Sequence, residues 1–233
     1  MATLAQFRTR ISGTLGLTNE SGHADRDLID ARVNAGVVDV LLQTGCRIEP
    51  EDLNFIAGED DYNLNNSILL VRDAYIVGTS ENSRLTRVTP AELIDMRIAG
   101  SGASSPPVTF YAMNGSNLLM VYPTPTSSSE KLFIYYVPRP TEMSDASHDP
   151  STETYGGVPK EFHDAIEYYA LWKLADFQDD ETSAQGERYR SLYEQEIKKA
   201  RKYVNMKGGV TLAPARVGRR RWRVPSDPSA DVR

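Results

Sequence analysis

The chain has 233 residues, 40% of them hydrophobic and 25% charged, which is enough to bury a core and excludes global disorder. No stretch approaches the ~20 consecutive apolar residues that a bilayer crossing needs. The first residues, Met1 to Arg8, lack the basic flank and apolar block of a secretory signal, so the expectation is a protein made and kept in the cytoplasm or in something assembled there. The formal charge of −6 is uneven: residues 205–233 carry seven Lys/Arg against Asp227 and Asp231, which leaves −11 for the first 204 residues. An acidic body with a basic tail is the pattern of an interaction arm on a folded domain.

In chain order, Leu4, Phe7, Ile11 and Leu15 recur at helical steps and predict a short amphipathic helix over 3–15. Residues 18–22 read as a loop. Asp25 or Asp27 then leads a second helix whose apolar face is Leu28, Ile29, Val33, Val37, Val40 and Leu41, with Gly45 as its left-handed cap. Cys46, the sole cysteine, follows. It excludes an internal disulfide or a cysteine metal site, and its expected role is a small buried hydrophobe.

From about 53 to 140 the pattern changes to short strand-like runs: 53–56, 67–71, 73–77 and 83–88, with a turn at Gly58–Asp61. Thr89-Pro90-Ala91-Glu92 is a capping box with proline at the first helical position, predicting a helix over 90–97. Residues 100–107 form a Gly/Ser/Pro loop. Asn114-Gly115 between 108–113 and 117–122 predicts a hairpin with a type I′ turn, and a last strand covers 131–137, ended by Pro138 and Pro140.

After an Asp-rich loop (141–157) the helical period returns. Pro159 starts a helix with Phe162, Ile166, Tyr169, Ala170, Leu174 and Phe177 inward; Asp179-Asp180-Glu181-Thr182 breaks it. A further helix over 183–204 carries Tyr189, Leu192, Tyr193, Ile197, Ala200 and Val204 on one stripe. The predicted fold class is α+β: a helical bundle from the N- and C-terminal helices, an inserted antiparallel β-rich domain, and an extended C-terminal tail. The corresponding division is 1–50, 51–157, 158–206 and 207–233.

Catalytic and cofactor signatures are missing. There is no phosphate loop, no dinucleotide fingerprint around Gly100-Ser101-Gly102, and no nucleophile elbow. His23, His148 and His163 are scattered rather than paired at metal-ligand spacing, and the acidic runs Asp60-Asp61 and Asp179-Asp180-Glu181 do not fit a calcium loop. The expectation is no catalytic residue, no cofactor and no metal. Tyr168, Tyr169, Tyr189, Tyr193 and Tyr203 suit helix packing, or alternatively a subunit interface.

The sharpest local motif is Arg219-Arg220-Arg221-Trp222-Arg223, with Arg216 just before it. It reads as a protein-docking arm, with Trp222 as anchor and the arginines for acidic pockets. A solvated basic terminus and a nucleic-acid arm, in which arginines take phosphates and the indole stacks, are the other readings.

Several segments together resemble a known family. They are Val158-Pro159-Lys160-Glu161-Phe162-His163-Asp164-Ala165-Ile166-Glu167-Tyr168-Tyr169-Ala170, then Leu174-Ala175-Asp176, Asp179-Asp180-Glu181, and Tyr189 to Tyr193. In the β region they are Leu85 to Leu93, Tyr111 with Asn114-Gly115, Tyr122-Pro123-Thr124-Pro125, and Ile134 to Pro140. In this order they resemble the head-to-tail adaptor (connector) proteins of tailed bacteriophages, over about residues 1–204; the tail beyond 208 lies outside the resemblance. The resemblance implies a structural virion protein of the head–tail junction, assembled in the host cytoplasm. It implies a homo-oligomeric ring, usually of twelve copies, between the portal protein and the tail nozzle or tail tube. Double-stranded DNA passes through such a ring without sequence recognition, and no cofactor, catalytic residue or membrane is implied. An acidic body agrees, since a channel that held phosphates tightly would stall the genome. Alternatives are another neck, tail-completion or tail-tube ring protein, or a hydrolase or carbohydrate-binding module.

Overall fold

The computed structural model describes residues 2–16, 23–77, 82–100, 107–115, 117–175 and 183–208. Helices α1 (Leu4–Leu15) and α2 (His23–Thr44) open the chain, and α4 (His163–Ala175) and α5 (Ser183–Gly208) close it. Between them lie β1 (Glu49–Asn54), β2 (Asp61–Asn63), β3 (Ile68–Val77), β4 (Asn82–Arg84) and β5 (Thr86–Arg87). Helix α3 (Pro90–Ala99), β6 (Phe110–Asn114), β7 (Leu118–Tyr122) and β8 (Lys131–Pro138) complete the middle section. The architecture is the expected α+β.

The N- and C-terminal helices form one bundle because their apolar faces have no other cover. Leu4, Phe7 and Ile11 of α1 meet Ile29, Val33, Val37, Val40 and Leu41 of α2, Ala165, Ile166, Ala170, Leu171 and Leu174 of α4, and Tyr193, Ile197 and Ala200 of α5 in a single core. Helix α2 runs from His23, ahead of Asp25 and Asp27, and stops at Gly45, whose φ of 59° and N–H bond to the Leu41 carbonyl (2.8 Å) make the expected left-handed cap. The loop before α4 belongs to the same packing. Met143 and Val158 enter the bundle core, the backbone of Met143 exchanges hydrogen bonds with the Asn34 side chain (2.9 and 3.0 Å), and the Leu4 and Ala5 N–H groups donate to His148 and Ala146. These last two bonds satisfy amides that the start of a helix leaves without intrahelical partners.

The middle section is two four-stranded sheets, ordered β1-β8-β3-β4 and β2-β7-β6-β5. They share a core of Val71, Ala74, Ile76, Leu132 and Ile134 from the first sheet and Tyr62, Tyr111, Leu119 and Val121 from the second. The other face of the second sheet is covered by α3, whose Leu93 packs on Ala112 and Met120. Thr89 caps α3 in the predicted capping box, accepting from the Glu92 N–H while Glu92 accepts from the Thr89 N–H at 2.9 Å.

Four details depart from the sequence reading. The runs 67–71 and 73–77 are one strand, β3, with bulges between Ile68 and Leu70 and between Val71 and Asp73. The run 83–88 is divided between the two sheets as β4 and β5, and β5 pairs with β6 in parallel. The first strand starts at Glu49, not Leu53: the acids and Pro50 sit on an edge strand, where their poor strand propensity is tolerated. The hairpin turn is not type I′. Asn114 still pairs with Leu118, so the connection is residues 115–117, and of Asn114 and Gly115 only Gly115 takes positive φ (69°).

Candidate functional site

Strand β3 is apolar except at Arg72 and Asp73. At the second bulge Val71 faces Tyr136 and Asp73 faces Tyr135, so Arg72 is the extra residue, and a bulge re-aims the side chain it carries. The guanidinium turns toward the C-terminal end of α2, where Nη2 donates to the Leu42 carbonyl at 2.8 Å. Its Nε is buried with no hydrogen-bond partner.

Beside it the chain leaves the first sheet for the second. The Leu85 N–H bonds to the Ala74 carbonyl (2.8 Å), and then the backbone crosses to β5, so β3 has no strand partner on this side at residues 68–73. The opening is a cleft of about 850 Å³. Leu42, Leu70, Leu85 and Tyr111 give it apolar walls, and Arg72, Arg84, Arg87 and Arg201 line it with charge. Helix α5 closes one side through Arg201 and Asn205; Arg201 donates to the Gln43 carbonyl at 2.8 Å and to the Gln43 side chain. A shallower hollow continues outward along Lys198, Lys202 and Met206.

Four guanidiniums face one lining carboxylate, Asp73, which pairs with Arg84 and raises its pKa above the ordinary value. Among the described residues Arg72, Arg87 and Arg201 have no acidic partner. Burial first, then the charge of Arg201, then that of Arg87, pushes Arg72 below its ordinary value, with Asp73 opposing. The Tyr111 phenol, pushed up to about 12 mainly by burial, stays neutral and donates to the Arg72 carbonyl at 3.2 Å. The α2 carbonyl ends steady two of the arginines but do not neutralise them. Guanidinium forks in such a cleft suit carboxylates, which they bind in bidentate pairs.

The predicted docking residues Arg216, Arg219, Arg220, Arg221, Trp222 and Arg223 lie outside the described residues. The cleft arginines were not singled out from sequence. They are separated by up to 129 positions, and their one local signal was a charged pair interrupting the apolar run of β3. Among the described residues no group of three or more His, Cys, Asp or Glu is placed to hold a metal, and no helix is long and apolar enough to cross a membrane. His163 is buried in the bundle, and burial lowers its pKa.

A comparison with curated proteins finds no match. A comparison with protein families matches the SU10 adaptor protein over residues 2–223. The match spans the bundle, both sheets and the chain as far as Arg223, further than the 1–204 of the sequence resemblance, so it takes in the Arg219–Arg223 motif. With nearly the whole length matched, the chain belongs to the SU10 adaptor protein family, a family of phage head-to-tail adaptors.

Proposed function

We propose that this adaptor is the subunit of a ring, of twelve copies, that joins the portal protein to the tail nozzle or tail tube in the virion. The observation that carries the reading is the family match over residues 2–223. The role is mechanical rather than catalytic. The ring lines the passage for double-stranded DNA without reading its sequence, and the charge of −11 over residues 1–204 favours sliding over phosphate capture. In this reading 1–50 and 158–206 make the bundle, 51–157 the inserted β-rich domain, whose last loop packs on the bundle, and 207–233 an arm that docks on the portal. Trp222 fills a pocket there, and Arg216, Arg219, Arg220, Arg221 and Arg223 pair with carboxylates of the portal. Ordering such an arm costs about 2–5 kcal/mol, which a buried indole helps to offset.

The subunit is mainly monomeric alone and closes its ring on the portal, since a ring that closed early would compete with ordered assembly. The test is binding of the full chain, a deletion of 209–233 and Trp222→Ala to portal rings at two salt concentrations, with sedimentation of each protein alone. Loss of portal binding in both variants is expected. Unchanged binding by the deletion refutes the docking arm, a stable dodecamer without portal refutes assembly on the portal, and failure of the full chain to bind portal refutes the adaptor ring itself.

A further inference from the structure

Helix α3 carries exposed apolar side chains. Leu93 is its one buried residue, while Ile94 is 43% and Ile98 71% exposed. Ala91, Ile94, Asp95 and Ile98 follow the i, i+3, i+4, i+7 spacing of a helix laid into a groove, and Glu92 adds a second acid next to the stripe. The helix therefore offers an apolar ridge flanked by carboxylates. The cleft described above is the complement, with leucine and tyrosine walls and an arginine rim in excess of acids.

Their placement matters as much as their chemistry. Along β6 alternate residues point to opposite faces: Ala112 lies under α3, whereas Tyr111 lines the cleft. The ridge and the cleft are thus on opposite sides of one sheet, and a copy cannot fill its own cleft with its own α3 by a small movement. A second copy can. Contacts in which one patch meets a different patch of the next copy are heterologous, and they generate closed rings when the rotation per copy closes.

We propose that α3 of one adaptor copy docks in the arginine-rimmed cleft of the next. The isoleucines contact Leu42, Leu70 and Leu85, and Asp95 and Glu92 face Arg87 and Arg201. Arg72, whose Nε is buried without a partner, lines the same cleft. The inference rests on the ring reading and names the surfaces that would close the ring.

The test uses the full chain on portal rings, with Cys46→Ser as background. Ile98→Cys and Arg87→Cys are introduced singly and together, and a flexible bismaleimide is added while native mass reports ring formation. A ladder of linked copies from the double variant, and none from either single variant, is the expected result. A ring of normal mass with no ladder overturns this interface and leaves the ring standing, whereas absence of any multimer of the unsubstituted chain on the portal overturns the ring reading and this inference with it. Protection of the Arg87→Cys thiol by double-stranded DNA on unassembled protein would also overturn it, in favour of phosphate contact. A second variant works through charge. Asp95→Arg should lower ring occupancy about tenfold or more, since close interfacial charge pairs couple that strongly. Unchanged occupancy counts against the contact.

Discussion

Two glycine-to-alanine substitutions in helices are expected to move stability in opposite directions, and the difference tests whether the α2–α4 seam is as tight as the structure has it. Gly36 lies within α2, where glycine costs about 0.5–1 kcal/mol relative to alanine. An added Cβ there would stand 3.2 Å from the Ile166 carbonyl oxygen, 3.2 Å from Tyr169 Cδ1 and 3.3 Å from Ile166 Cγ2. One of these neighbours is α4 backbone, which cannot rotate away, so the helices must separate by a few tenths of an ångström across a packed core. Overpacking of this kind costs about 1–3 kcal/mol. Set against the propensity gain, Gly36→Ala should lose roughly 1 kcal/mol, a fall of about 2–4 °C in Tm for a chain of this size. Gly13 in α1 meets nothing within 4 Å, so Gly13→Ala keeps only the gain and should raise Tm by about 1–4 °C. Thermal unfolding of the full chain followed by circular dichroism measures both. A Gly36→Ala protein as stable as the parent, or a Gly13→Ala protein less stable than it, would refute the reasoning.

The Tyr193 hydroxyl donates to Asp39 across the α5–α2 contact, and burial followed by that carboxylate raises its pKa, so Tyr193→Phe should cost about 1–2 kcal/mol and lower the urea midpoint; an unchanged midpoint would show that water replaces the phenol fully. Thr89→Ala removes the α3 cap and should cost about 1 kcal/mol, with α3 amides losing hydrogen-exchange protection before the bundle does. His163 is buried, and burial depresses its pKa below 6.5 against the opposing charges of Asp149 and Asp164. The unfolded chain therefore takes up a proton that the folded chain refuses, and stability present above about pH 6.5 falls as the pH drops below it. His163→Gln should shrink the Tm difference between pH 7.5 and pH 5.5, and an unaltered difference would assign it to other groups.

The bundle was legible because its signal is local and repeated. Leu4, Phe7 and Ile11, or Tyr193, Ile197 and Ala200, recur at the helical period and are all buried. Capping chemistry was legible for the same reason: Thr89 to Glu92 and Gly45 each need a particular residue at one place. The strand pairing was not. Nothing in Ser83 to Val88 announces that one half pairs with β3 and the other with β6, because pairing is set by partners elsewhere in the chain. Arg72 divided the run into two expected strands, 67–71 and 73–77, because a bulge and a turn share polar composition. The candidate site was hidden by that same fact, since its arginines come from β3, β4, β5 and α5 and only the folded crossing between the sheets brings them together.

The cleft is a place where folding and assembly pull in different directions. Arg72 bears the cost: burial and the charges of Arg201 and Arg87 push it below its ordinary value, while Arg87 and Arg201 themselves stand exposed at the cleft, without an acidic partner among the described residues. In the proposed ring the counter-charge comes from the next copy, and the exposed isoleucines of α3 supply the matching apolar surface. The position of the cleft gives the contact its mechanical use. It is walled by α2, α5 and both sheets, so a neighbour seated there grips the bundle and the β section together, and force on one copy passes to the next through packed elements rather than through a loop. Under the proposed function, contact between copies and docking by the arm would be separate tasks of different stretches of one chain.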